Sequence, residues 1–270
     1  MSNSASRWLI RALGGSTKTS YPTTSQQDPL FPMLPLELRY KIYEYIILPS
    51  THMSGPLKVQ VNANYSGSSI MSPNWFPAFI NVNKATRIEA GLFFLSISEL
   101  EIRYVAWPGL HHLSHLLNTF PGTQGFEAIR RLYFPLFGEQ GFVVGSVNAG
   151  IEFMKKCTKL GETTIKFNIR NLANKKKWKI KRDDSPGEGD RASDNHVLAL
   201  DQVVGKYELE GLFELDSLHK ITIEVHPVVR LYGLRGRATI LIDCMPVILE
   251  LAEWLRLGFE KRRRNIEVSA

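Results

Sequence analysis

Hydrophobic and polar positions alternate with two different periods along this chain, and the changes of period mark its elements. Leu34, Leu38, Ile42 and Tyr45 or Ile46 recur at i, i+4 and i+8, with Arg39, Lys41 and Glu44 turned elsewhere, which predicts an amphipathic helix inside Phe31 to Pro49. Pro35 suits the first helical turn, where its missing N–H is not needed, Glu37 follows at the positive end of the dipole, and Pro49 stops the helix. Residues 55 to 75 are rich in Gly, Ser, Asn and Pro, apart from a strictly alternating Leu57 to Val61 that reads as an edge strand. A second helix is predicted from about Phe79 to Leu95, with Ile80, Ala85, Ile88 and Leu92 facing inward, followed by a strand near Leu100 to Tyr104.

From there the chain repeats apolar helix, turn and short β-rich strand. Leu110 to Phe120 precedes a strand at Ile129 to Phe134, Val147 to Cys157 one at Thr163 to Asn168, and Val204 to Glu214 one at Ile221 to Val225, with Pro246 to Phe259 as the last helix. The expected class is α+β: an N-terminal helical module over 28–104, then an irregular helix-strand region over 105–270. That region is either a degenerate leucine-rich-repeat-like solenoid, slightly favoured, or an α/β sandwich with helices on one face of a sheet.

Charge changes this picture in one place. The 270 residues carry 33 basic and 26 acidic side chains, a net charge of +7, yet residues 170 to 182 alone hold seven basic groups and no acid. Without that segment the rest is neutral, so this is no broadly basic scaffold for a phosphate backbone. The run continues into DDSPGEGDRASDN, and together they predict a surface loop over 170–196. Lys175, Lys176, Lys177, Lys179, Lys181 and Arg182 surround Trp178 and leave three uses open: a solvated loop base, a nuclear-import signal, or a nucleic-acid or acidic-lipid contact with Trp178 as a stacking platform. The KRRR of residues 261 to 264 closes the last helix, where cations complement the carbonyl end of the dipole.

Residues 1–27 read as a Ser/Thr-rich tail, although Arg7, Arg11 and Lys18 with no acid before Asp28 also fit a transit peptide. Two distant cysteines, Cys157 and Cys244, and the lack of a spanning apolar run point to a cytoplasmic or nuclear protein with reduced thiols and no membrane role. The Asn64-Tyr65-Ser66 sequon is then not expected to be glycosylated.

Catalytic patterns are not recognisable. Gly233-Leu-Arg-Gly236 lacks the Lys-Ser/Thr of a phosphate loop, and no Gly-x-Ser-x-Gly elbow occurs. His111 and His115 share a helical face with His112 beside them, but zinc needs three or four ligands and none follow at suitable spacing. Asp243-Cys244 ends an apolar stretch, and a reactive thiolate there requires a cationic or helix-N-terminal setting. No enzyme, cofactor or metal is expected.

The string from Phe31 to Tyr43, FPMLPLELRYKIY, resembles the opening of the fungal F-box-like proteins, including the two-EXR group named for paired Glu-x-Arg motifs, with Glu37-Leu38-Arg39 as the first. The string from Ile80 to Phe94 is similar to their second segment, except that Ala85-Thr86-Arg87 lacks the acid, so that Arg87 must draw on another carboxylate such as Glu37 or Glu89. The resemblance covers about residues 31 to 104. It implies a protein–protein interaction module and, from the F-box, binding of the Skp1 subunit of a cullin ubiquitin ligase through Leu34, Pro35, Leu38, Ile42 and Tyr45. Such a chain is a substrate-recruiting adaptor, with 105–270 receiving an unknown target protein. Amphipathic stripes are more often core than docking face, so burial of these side chains within the monomer stays open. The rival from another class is a nuclear nucleic-acid-associated factor using residues 170 to 182.

Overall fold

The structure, a computed structural model, describes residues 33–48, 56–61, 75–81, 83–103, 108–137, 143–144, 147–172, 197–225, 231–232, 239–240 and 244–270. The tail to residue 27, the Asn64 sequon, the Gly233 turn and the basic side chains from Lys175 to Arg182 lie outside them. The chain divides into two units, Met1–Arg39 and Tyr40–Ala270.

Of the first unit, residues 33–39 are described, and Met33, Leu36 and Leu38 are exposed. Helix α1, Leu36–Ile47, continues into the second.

In the second unit six strands form one sheet: β1 (Leu57–Val61), β2 (Ser98–Ile102), β3 (Arg131–Phe137), β4 (Glu162–Phe167), β5 (Lys220–Val225) and β6 (Glu267–Ser269). Each pairs in parallel with the next along the chain, so spatial order equals sequence order. Parallel neighbours need a crossover, and helices supply it: α2 (Lys84–Ile97), α3 (Pro108–Leu117), α4 (Ala149–Lys156), α5 (Leu200–Tyr207) and α6 (Met245–Lys261). A sheet that always steps the same way, with right-handed crossovers, receives all its helices on one face.

Burial agrees with that one-sided cover. Ser98, Leu100 and Ile102 of β2, Leu132 and Phe134 of β3, Thr163, Ile165 and Phe167 of β4, and Ile221 and Ile223 of β5 are buried, while the residues between them are half-buried. The sequential parallel order keeps both expected architectures in view: a helix layer on one face, built by regular stepping as a solenoid is.

Several expected boundaries move, each for a local reason. The sheet runs across the expected division at 104/105, because β2 and β3 are hydrogen-bonded neighbours with Leu100 opposite Leu132. The helix expected from Phe79 is split: a 3-10 turn, Ala78–Asn81, precedes α2, whose first turn is capped by the Asn83 side chain accepting from the Thr86 N–H at 2.8 Å. Its buried face is Ala90, Gly91, Phe94 and Leu95, and Ala85 is exposed. The helix expected over Val204 to Glu214 breaks at Glu208, which takes a left-handed φ of 52° and leads into a 3-10 helix, Leu209–Glu214. The Glu208 carboxylate accepts the Asn148 N–H at 2.8 Å, and the fully buried Asn148 amide donates to the Tyr207 carbonyl at 2.8 Å while capping α4. β3 carries a bulge between Phe134 and Phe137, where Pro135 has no N–H for the ladder. No helix among the described residues is long and apolar enough to cross a membrane.

Candidate interaction surfaces

Within the second unit, helix α1 meets α2 through two tyrosines, Tyr40 and Tyr43. Tyr43 is its single buried side chain, and its hydroxyl donates to Glu89 of α2 at 3.1 Å. The Tyr43 ring lies 6.1 Å from that of Phe79, and Tyr40 stacks on Phe93 at 4.9 Å. The sequence pattern singled out another set. Leu38 is 52% exposed, Tyr45 84% and the neighbouring Ile46 53%, whereas Leu34 and Ile42 are half-buried and Pro35 is exposed. Six of the nine large apolar side chains that stand exposed among the described residues fall between Met33 and Ile46. Single exposed apolar side chains are ordinary on a protein surface, whereas this many along one short element mark it as a candidate for interaction.

The open face of the sheet is the second surface. Its first row crosses all six strands in register: Lys58, Glu99, Arg131, Glu162, Lys220 and Glu267, alternating in sign at every step. Ion pairs close at 3.8 Å for Lys58–Glu99, 3.3 Å for Arg131–Glu162 and 2.9 Å for Lys220–Glu267. Such a row cancels its own field and favours one strand register over a slip that sets like charges opposite. The row above it, Gln60, Glu101, Tyr133, Thr164, Thr222 and Ser269, is polar with a single carboxylate. Burial, with help from Glu224, Glu101 and Glu99, pushes the Tyr133 phenol above its ordinary range, so it stays a neutral donor.

The structure leaves the other chemical candidates apart. His111 and His115 are exposed on α3 while Leu113, Leu116 and Leu117 are buried, and among the described residues no three His, Cys, Asp or Glu side chains converge to hold a metal. Cys157 is buried, its thiol pushed up by desolvation and donating to the Phe153 carbonyl at 3.5 Å. Cys244 takes the N-cap position of α6 and is also buried, so the helix-terminal setting that activates a thiol is present without access.

Two features escaped the sequence reading. The Tyr43–Glu89 bond joins helices far apart in the chain, and the only local hint is an aromatic on the polar side of the apolar stripe. The charge row is written in strands with polar residues at every second position, but its alternation emerges only once the register is known. No protein-family model matches the chain, and no curated protein or solved structure shows significant similarity to it.

Proposed function

We propose that this chain acts by binding other proteins, with helix α1 as a docking element, and that it performs no bond chemistry of its own. The observation that carries the reading is the exposure of Leu38, Tyr45 and Ile46 on a helix secured by Tyr43. A helix with this many uncovered apolar groups has hydrophobic area to lose on meeting a partner, about 25 cal/mol per Å2 removed from water. The F-box-like resemblance supplies the class of partner: a Skp1-like subunit of a cullin ubiquitin ligase, to which the helix-strand body would deliver a second protein. Support also comes from the open sheet face, a broad polar platform of the type on which repeat-built proteins carry targets.

The test is capture of the purified chain by Skp1, comparing wild type with Leu38→Asp and Tyr45→Asp. Interface anchors cost roughly 2 kcal/mol or more when removed, about a thirtyfold weaker complex, so both variants should fall below detection in a pull-down that retains wild type. Equal capture of all three, or none of wild type, overturns the adaptor reading.

A further inference from the structure

The last helix, α6, carries a groove that the docking reading of α1 does not use. Its floor is made by Phe213 of the 3-10 helix together with Trp254, Leu257 and Gly258 of α6, and its volume is about 300 Å3. Trp254, Gly258 and Arg262 follow one another at i, i+4 and i+8, so they form a single ridge beside which Phe213 lies. Gly258 makes the approach feasible: a Cβ there would sit 2.2 Å from the Phe213 ring. The ring is fixed from three sides, with Trp254 at 4.9 Å, Phe259 at 4.8 Å and the Arg262 guanidinium 4.2 Å above it.

The rim is charged unevenly. The groove's charged lining residues are two cations, Lys261 and Arg262, and one carboxylate, Glu210. Arg262 is held in place by donating to the Gly258 carbonyl at 3.0 Å, which uses one arm of its fork. Lys261, Arg262 and Arg263 are exposed and form no ion pair among the described residues. Arg264 differs: it donates to the carbonyls of Phe213, Leu215 and Leu218. Of the four consecutive cations, Arg264 therefore braces the groove floor, while Lys261 and Arg262 line the groove without an ion pair among the described residues.

We propose that this groove binds an acidic peptide segment of a partner protein, with one apolar side chain seated on the half-buried Trp254 and the exposed Leu257 above the buried Phe213 ring, and flanking carboxylates paired to Lys261 and Arg262. The volume, about 300 Å3, accommodates one large side chain and lies at the lower end of the range of small-molecule sites. A planar guanidinium already oriented over an aromatic ring presents its remaining N–H groups to a carboxylate with little entropy left to lose. Nucleic acid fits less well: a phosphate backbone asks for a track of cations, and here an apolar floor is opposed by Glu210. The inference stands independently of α1.

Fluorescence anisotropy on the full chain decides it, using a fluorescein-labelled helical peptide with one tryptophan between glutamates, its lysine counterpart, and a labelled oligo-dT. The acidic peptide should bind at least about tenfold tighter than either competitor, a difference near 1.4 kcal/mol. The double variant Lys261→Glu, Arg262→Glu should abolish or reverse that preference. Leu257→Asp, at a side chain 44% exposed, should remove binding while leaving the urea midpoint in place. The proposal is overturned if the acidic peptide fails to bind at millimolar protein, if acidic and basic peptides bind alike, if the variants leave the preference intact, or if oligo-dT binds best.

Discussion

The first and last helices of the sheet unit have opposite fates although each leads into an outer strand, α1 toward β1 and α6 toward β6. α6 buries Val247, Ile248, Leu251, Leu255 and Phe259, a set spaced so that one stripe faces the sheet, and it spends Glu250, Glu253, Arg256 and Glu260 on the far side. Eight of the twelve residues of α1 are aliphatic or aromatic, yet it buries only Tyr43. Its apolar residues, at 36, 38, 40, 42, 43 and 45 to 47, spread over about 220° of the circumference at 3.6 residues per turn, and a single neighbouring layer can cover only part of so wide an arc. Apolar content therefore does not decide burial. Its angular concentration does, and what exceeds the covered arc is left for a partner.

The sharpest way to break this contrast is to remove a member of the α6 stripe. Phe259→Ala deletes a ring that is 1% exposed and packed against Phe213, so it should cost about 3–5 kcal/mol in urea unfolding, through lost transfer energy and the cavity left behind. A loss below about 1 kcal/mol would mean that α6 is as loosely held as α1, and the comparison would fail.

Helix α6 itself was legible beforehand, expected over Pro246 to Phe259 and found over Met245–Lys261, because its apolar residues recur at helical spacing in one uninterrupted run. The strands were legible for a similar reason: Leu57–Val61 emerged with the bounds its alternation predicts, and those of β4 and β5 differ from the expected by a residue. β6 was not, because three residues, Glu267–Ser269, hold no period of their own and become a strand only by pairing with Lys220, Ile221 and Thr222. The charge row was hidden for the same cause, register being a property of two strands and not of one. In α1 the stripe through Leu38 and Ile42 is real as a pattern, but a helix that is apolar on several sides gives no local sign of which one the fold will use. Tyr43 was decided by Glu89 and Phe79, both distant in sequence.

A smaller effect comes from the residue that locks α6 to the body. Arg264 donates to three carbonyls that end the 3-10 helix and the turn before β5, and its guanidinium lies 5.1 Å from the Phe259 ring. Arg264→Ala strands those acceptors, and a charged hydrogen-bond donor lost from such a site costs about 1.5–3 kcal/mol. Arg264→Lys should recover only part of it, because an ammonium cannot spread donors across three carbonyls in a plane. Full recovery by lysine in urea unfolding would reduce the residue to a helix-end charge.

The smallest effect is expected where the exposed apolar area is greatest. Tyr45 is 84% exposed, so Tyr45→Ser removes almost no buried surface and should move stability by less than about 0.5 kcal/mol. Tyr43→Phe, two residues away, deletes a half-buried hydroxyl bond to Glu89 and should cost about 1 kcal/mol. The pair separates two meanings of an apolar helix, because both side chains are tyrosines on the same element and differ only in which arc they occupy. If Tyr45→Ser unfolds the protein as readily as Tyr43→Phe does, the outer arc is covered in solution and α1 is a core helix after all. If it leaves stability untouched, a hydrophobic ring has been kept on the surface at no benefit to folding, and its use must lie outside the monomer.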